Sequence, residues 1–140
     1  MKVFITSPWR NGEAVRSLTE ALRSRGHTAY SFLDNGANLA SGAPILEELK
    51  EFGHSMADWQ DDPRIGSIFE SEMGALRDSD TVILLEPAGR SSLAEAGIAY
   101  GIGKPVVLIG LVEHPEVVYR ICTRRYPSID AFLLSLNRNP

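Results

Sequence analysis

The sequence predicts an α/β protein with one doubly wound, parallel sheet of four or five strands and helices on both faces. Three short runs are apolar almost throughout, at residues 3–6, 81–85 and 105–110. Strands that are apolar on both faces are typical of parallel sheets that helices cover on both sides. Stretches with helical spacing of apolar residues lie between these runs, and this alternation predicts parallel strands joined by right-handed crossovers.

The amino-terminal part predicts a β-α-β unit. A polar loop at residues 7–12 follows the first strand, and turn residues are frequent in it. Apolar residues then recur at helical spacing: Val15, Leu18 and Leu22. Gly26 predicts the end of this helix, and residues 27–32 predict a second strand. A short helix is expected from Pro44 onward.

A clear helix start follows in the middle of the chain, with Asp62 as the cap and Pro63 after it. The predicted apolar face of this helix is formed by Ile65, Ile68, Phe69, Met73 and Leu76. The strand at residues 81–85 comes next, followed by a helix beginning near Ser92 that ends at a glycine before the strand at residues 105–110.

The tail predicts one or two helical turns at residues 116–120 and a last helix capped by Ser128. The apolar residues of this last helix are Ile129, Phe132, Leu133 and Leu136.

Composition limits the function. The length of 140 residues fits one domain, and 44% hydrophobic and 23% charged residues are typical of a soluble protein. The net charge of −4, with scattered basic residues, argues against a nucleic-acid partner. Cys122 is the only cysteine, so no disulfide framework forms within one chain, and its apolar neighbour indicates a buried small residue rather than a catalytic thiol. No apolar run approaches the roughly 20 residues of a membrane span, so we expect a cytoplasmic protein without a membrane partner.

Polar side chains follow the predicted strands where ligands bind in open α/β sheets. Arg10 and Arg90 are candidates for clamping a phosphate, assisted by the free N–H groups of a helix start. The hydroxyls of Ser7, Ser91 and Ser92 lie in the same loops. The alternative is that both arginines are exposed loop residues without a ligand. No glycine-rich dinucleotide or P-loop pattern is present.

Two carboxylates are candidates for catalysis, and each has a structural alternative. Glu95 lies near a helix start, but Ser92 and Glu95 also fit a capping box, in which the glutamate only satisfies a backbone N–H. Glu72, on the preceding helix, has the alternative of a solvated surface charge. His54 and His114 lack partner ligands at metal spacing, so neither a metal nor a cofactor is expected.

A larger pattern combines these residues. It comprises Phe69-x-x-Glu72, Leu76-x-x-Ser79-Asp80, the strand at residues 82–85, Ser91-Ser92-x-x-Glu95-x-Gly97-x-Ala99 and Gly103-Lys104-Pro105-Val106. The pattern resembles the nucleoside 2-deoxyribosyltransferase-like superfamily, which includes 5′-monophosphate nucleoside N-glycosidases. The match is best across residues 69–110. The resemblance implies a flavodoxin-like sheet, one domain of this type over residues 1–140, and a homo-oligomer.

The resemblance also implies roles for the candidate residues. Glu95 would attack the anomeric carbon of a nucleoside or nucleotide and form a glycosyl-enzyme ester, which suits an oxocarbenium-like transition state. Glu72 would place or protonate the leaving base. Ser7, Arg10 and Ser91 match positions or loops that hold the 5′ end of the sugar or its phosphate.

The chain also departs from the family pattern. Transferases of this family carry an aspartate before a Gly-Thr pair in the loop that here reads Ala88-Gly89-Arg90-Ser91-Ser92. Glu72 stands where aspartate is usual, and Arg90 favours an anionic ligand. The sequence therefore leaves two reactions open: hydrolysis of the N-glycosidic bond and transfer of the sugar to another base. Two other functions also stay open: a nucleotide-binding or interaction module without turnover, and an enzyme that cleaves NAD at its nicotinamide bond.

Overall fold

The computed structural model describes residues 1–35 and 58–138, and it contains a five-stranded parallel sheet. Its strands are β1 (Lys2–Thr6), β2 (Thr28–Tyr30), β3 (Thr81–Leu85), β4 (Val106–Ile109) and β5 (Cys122–Tyr126). Their order is β2-β1-β3-β4-β5, and every neighbouring pair is parallel. The predicted α/β class, with the flavodoxin-like strand order, is confirmed.

Among the described residues, three α-helices lie between successive strands: α1 (Gly12–Ser24), α2 (Pro63–Asp78) and α3 (Arg90–Gly101). A fourth, α4 (Ile129–Leu136), follows β5. Alternate strand residues point to opposite faces of the sheet. Val3, Ile5 and Ile83 pack in one apolar core with α1 and α4, whereas Phe4 and Val82 pack in the other with α2 and α3. Both faces are therefore covered, which explains why the central strands carry apolar residues on both faces.

Local signals account for the helix ends. The Asp62 side chain accepts the backbone N–H of Arg64 at 2.8 Å, and the Ser128 hydroxyl accepts that of Ala131 at 3.1 Å. After α3, Gly103 has φ +80°, a backbone conformation that favours glycine. These predicted caps and the glycine stop are confirmed.

Three predictions need correction. The second strand covers only Thr28–Tyr30, because the chain turns into a 3₁₀ helix at Phe32–Asp34. Phe69 is 53% exposed, so the buried face of α2 is carried by Met73 and Leu76 at its carboxyl end. The turn predicted at residues 116–120 is present as a 3₁₀ helix, Val117–Ile121, but the edge strand β5 that follows it was not predicted.

The helix predicted from Pro44 lies outside the described residues, as does His54. Cys122 is buried and unbridged, and burial raises the pKa of its thiol, as fits a small core residue. Within residues 1–35 and 58–138, no helix is long and apolar enough to cross a bilayer.

Candidate active site at the carboxyl ends of β1 and β3

The strand order reverses between β1 and β3: the helix after β1, α1, covers one face of the sheet, and the helix after β3, α3, covers the other. Ligands of doubly wound sheets bind in the crevice at such a switch point. The two loops that form it are in contact, because a side chain on Gly89 would meet Pro8 Cγ at 3.1 Å. The Ser7 hydroxyl donates to the Leu85 carbonyl oxygen at 2.9 Å. The Asn11 amide donates to Ser7 Oγ and to the Glu86 carbonyl oxygen.

Glu95 lies beside this crevice, on the second turn of α3. The Thr6 hydroxyl, at the end of β1, donates to Glu95 Oε1 at 3.0 Å. The helix begins at Arg90 with Gly89 as its cap, so Glu95 is its sixth residue rather than its third. The capping interpretation of Glu95 and the predicted helix start near Ser92 are therefore wrong. Ser92 is itself the third residue, and its hydroxyl accepts the Gly89 N–H at 3.5 Å.

The small residues around Glu95 explain how α3 comes so close to the sheet. Ala96 and Ala99 are completely buried and belong to the same apolar core as Phe4. Their short side chains place the helix against the strand ends, and this brings Glu95 within reach of Thr6.

The surroundings of Glu95 disfavour the ionised form of its carboxyl group. Burial, and after it the nearby charge of Glu72, raise the pKa of Glu95 to about 7. The hydrogen bond from Thr6 acts in the opposite direction because it stabilises the carboxylate. Two carboxylates that feel each other's charge tend to share one proton between them. The pair can therefore supply one ionised and one protonated carboxyl group, the combination that glycosidic bond cleavage uses.

Glu72 is not a solvated surface charge. It is partly buried on α2, and the Asn35 amide donates to Glu72 Oε1 at 2.8 Å. Burial raises the pKa of Glu72, and the hydrogen bond from Asn35 lowers it. The structure thus brings Glu72 and Glu95 to the same side of the sheet, from consecutive helices.

Tyr30 completes this group from the end of β2. Its ring stacks on Phe4 with centroids 5.6 Å apart and planes 11° apart, and its hydroxyl is hydrogen-bonded to Asn35 Oδ1. Burial raises the pKa of Tyr30 to about 12, with further contributions from the charges of Glu72, Asp34 and Glu95.

The other predicted residues divide into two sets. Arg10, Arg90 and Ser91 are exposed, and in residues 1–35 and 58–138 neither guanidinium forms an ion pair. Ser7 and Ser92 are buried: the Ser7 hydroxyl bonds across to Leu85 at the end of β3, and the Ser92 hydroxyl accepts the Gly89 N–H at the start of α3. The described part of the chain contains no group of three or more histidine, cysteine, aspartate or glutamate side chains that could hold a metal ion.

Sequence reasoning did not identify Thr6, Tyr30 or Asn35. Each has a weak signal, because Thr6 and Tyr30 are polar residues near strand ends and Asn35 lies in a turn. Because Thr6 ends the first predicted strand, it could have been included among the polar residues expected at the carboxyl ends of the strands. The contact between Asn35 and Glu72 joins residues 37 positions apart, so no local pattern reveals it.

Neither a protein-family model nor a curated protein sequence matches this chain. Solved structures do match. The 2-deoxyribosyltransferase from Bacillus psychrosaccharolyticus has a TM-score of 0.68 at 18% identity, over 95% of this chain and 90% of that one. A conserved protein from Enterococcus faecalis V583 has a TM-score of 0.64 at 13% identity, over 100% and 99% of the two chains.

The CMP N-glycosidase from Clostridium botulinum has a TM-score of 0.55 at 13% identity, over 98% of this chain and 99% of that one. At these identities the likeness is one of fold, over nearly the whole length of each chain. It supports the resemblance that the motifs between Phe69 and Gly110 carry. The chain has the fold found in the nucleoside 2-deoxyribosyltransferase-like superfamily.

Proposed function

We propose that this protein cleaves or transfers at the N-glycosidic bond of a nucleoside or nucleoside 5′-monophosphate, with Glu95 as the nucleophile. The observation that carries the proposal is the pair of partly buried carboxylates at the switch point, of which Glu95 is oriented by Thr6. The similar folds of a 2-deoxyribosyltransferase and a CMP N-glycosidase support this chemistry.

The reaction has two steps. Glu95 Oε2, the oxygen that Thr6 does not contact, attacks C1′ of the sugar and forms an ester. The C1′–N bond breaks, its electron pair passes to the base, and the base takes a proton from Glu72. In the second step a water or a second base attacks C1′ and releases Glu95. Glu72 accepts the proton that this nucleophile loses, which restores the starting state.

The loops above the crevice have the chemistry to bind an anion. Arg10 and Arg90 are exposed on two loops that contact each other through Pro8 and Gly89. With the N–H groups at the start of α3 and the Ser91 hydroxyl, they would bind the 5′-phosphate. We assign Ser7 and Ser92 to holding these loops, in place of direct contact with substrate, because their hydroxyls already have protein partners.

Hydrolysis and transfer differ only in what attacks the ester. The absent family aspartate and the presence of Arg90 favour a nucleotide hydrolase over a base-exchanging transferase. We also propose that the protein is cytoplasmic and forms at least a dimer. Ile98, Tyr100 and Ile102 on α3 and the following turn are each at least 43% exposed, which supports the association. Light scattering of the purified protein would measure it.

The decisive experiment incubates the protein with a panel of nucleosides and 5′-monophosphates and measures free base by chromatography. Glu95→Ala and Glu95→Gln should abolish base release while the protein still melts cooperatively. Glu70→Gln removes an exposed carboxylate two residues from Glu72 on the same helix and is the matched control.

Continued base release by the folded Glu95 variants would refute the nucleophile assignment. A nucleotide that raises the melting temperature of the wild type without any release of base would instead indicate a binding module. Release of nicotinamide from NAD would indicate the NAD-cleaving alternative.

A further inference from the structure

The side chains of Tyr30, Asn35 and Glu72 form a continuous hydrogen-bonded chain from the end of β2 to the middle of α2. Tyr30 is bonded through its hydroxyl to Asn35 Oδ1, and Asn35 Nδ2 lies 2.8 Å from Glu72 Oε1. This chain, which we call the Tyr30 relay, lies beside the candidate nucleophile without contacting it through a hydrogen bond.

The direction of every hydrogen bond in the relay follows from chemistry. An amide oxygen only accepts and an amide nitrogen only donates. The Tyr30 hydroxyl must therefore donate to Asn35, and Asn35 must donate to Glu72 Oε1. The stacked ring of Phe4 fixes the tyrosine in turn. The relay therefore makes Glu72 Oε1 an acceptor, whatever the charge of the carboxyl group.

A general acid needs one oxygen that carries the proton and points to the leaving group. Oε1 of Glu72 is occupied by the Asn35 amide, and within residues 1–35 and 58–138 no hydrogen bond reaches Oε2. We propose that Asn35 and Tyr30 are positioning residues that reserve Glu72 Oε2 for proton transfer to the leaving base. The inference rests on the proposed function and adds to it the atom that carries the proton.

The charges around the relay are consistent with this role. Tyr30 faces Glu72 on α2, Glu95 on α3 and Asp34 in the turn after β2, all of which are acidic. The amide of Asn35 is neutral, so it orients Glu72 without the strong stabilisation of its charge that a cation would give. Burial raises the pKa of Glu72, and the hydrogen bond from Asn35 lowers it.

The test compares two leaving groups in wild type, Asn35→Ala and Tyr30→Phe. The substrates are 2′-deoxyguanosine 5′-monophosphate and its 7-methyl derivative, whose base already carries a positive charge and leaves without protonation. Asn35→Ala should reduce kcat for the unmethylated substrate about 10- to 100-fold, within the range of general acid catalysis, and change that for the methylated one less than about threefold. Tyr30→Phe keeps the ring on Phe4 and should show the same selectivity with a smaller loss.

A second measurement needs no activity. The carboxyl carbon of Glu72, assigned with Glu72→Gln, is titrated by NMR in wild type and Asn35→Ala. Loss of the donated hydrogen bond should raise the pKa of Glu72, since that bond stabilises the carboxylate. Asn137→Ala, an exposed residue after α4, is the control for folding and for the titration.

The outcomes separate the two proposals. If the wild type releases no base from any nucleotide, the proposed function fails and this inference fails with it. If the wild type releases base but Asn35→Ala slows both substrates equally, the role in proton transfer is overturned and the proposed function stands. An unchanged pKa of Glu72 in Asn35→Ala would overturn the relay itself.

Discussion

Two regions at the carboxyl edge of the sheet differ in what they bury. The crevice at β1 and β3 buries acids that are hydrogen-bonded to neutral side chains, Glu95 to Thr6 and Glu72 to Asn35. A cavity of about 510 Å³ lies at β4 and β5, and its charged side chains are exposed. It is lined by Leu108, Gly110, Leu111, Val112, Pro115, Glu116, Tyr119, Arg120, Arg125, Tyr126 and Pro127.

Glu86 separates the two regions. Its Oε2 accepts the Ala88 N–H at 2.7 Å in the β3–α3 loop, and its Oε1 accepts the Tyr119 hydroxyl at 3.0 Å on the cavity side. The difference is that the carboxyl groups whose pKa values burial raises lie in the crevice and do not line the cavity. Burying a carboxylate costs free energy, and perturbed carboxylates therefore concentrate where a protein has a use for them.

After the complete loss expected of the Glu95 variants, the largest effect is expected from Glu72→Gln. A glutamine keeps the size of the side chain but cannot give a proton to the leaving base, so kcat for base release should fall about 10²- to 10⁴-fold. The matched variant on the cavity side is Glu116→Gln, which should leave kcat unchanged. Steady-state kinetics with chromatographic detection of the base would measure both. Equal losses in the two variants would contradict the distinction between crevice and cavity.

Next comes the stability of Glu95→Gln and its dependence on pH. The pKa of Glu95 is raised from 4.5 to about 7 by folding, so the folded state binds more protons in this window. The contribution of Glu95 to stability is therefore present below about pH 4.5 and is lost as the pH rises to about 7.

Glu95→Gln lacks this titration. Its free energy of unfolding, relative to that of the wild type, should therefore be about 2–3 kcal/mol higher at pH 8 than at pH 4.5, since each pKa unit corresponds to about 1.4 kcal/mol. Urea denaturation at the two pH values measures the difference. Glu70→Gln, with an exposed carboxyl group, controls for the change in net charge. If the free energy of unfolding differs between variant and wild type by the same amount at both pH values, burial does not raise the pKa of Glu95.

A smaller effect is expected from the exposed arginines of the crevice. Arg10→Ala and Arg90→Ala should each raise KM for a 5′-monophosphate about 10- to 100-fold, the equivalent of losing a hydrogen bond to a charged group. KM for the corresponding nucleoside should change little, because it has no phosphate. Arg125→Ala in the cavity is the comparison. If it raises KM as much as the other two, the phosphate does not bind where the loops of β1 and β3 meet.

The smallest effect is expected from Tyr119→Phe, which removes the hydroxyl that reaches Glu86 from the cavity side. A hydrogen bond of this kind contributes about 1 kcal/mol to stability, and the ring would still fill its place. Chemical denaturation should show a loss of about that size, with base release unchanged. A large loss of activity would mean that the β3–α3 loop depends on the cavity wall for its shape.

Local patterns were sufficient for most of the fold. The apolar strands, the caps Asp62 and Ser128 and the glycine after α3 follow from rules that act within a few residues. The edge strand β5 was not identified, because its exposed Thr123, Arg124 and Arg125 do not have the apolar character of the central strands.

The candidate site was predictable only in part. Glu95 was identified, but a capping pattern at Ser92 competed with it, whereas the helix is capped at Gly89. Thr6 is 89 positions from Glu95 in the sequence, so its hydrogen bond depends on the packing of α3 against the sheet. The exposure of Phe69 likewise depends on where α2 leaves the sheet, which spacing alone does not give.

The hydrogen bond between Thr6 and Glu95 joins the beginning of the chain to a helix in its second half. During refolding, helical segments that form before β1 has docked between β2 and β3 lack this hydrogen bond. The proposed nucleophile would then exist without its orienting hydroxyl. The recovery of base release in a refolding experiment should therefore follow the docking of the amino-terminal strand and lag behind the recovery of helical circular dichroism.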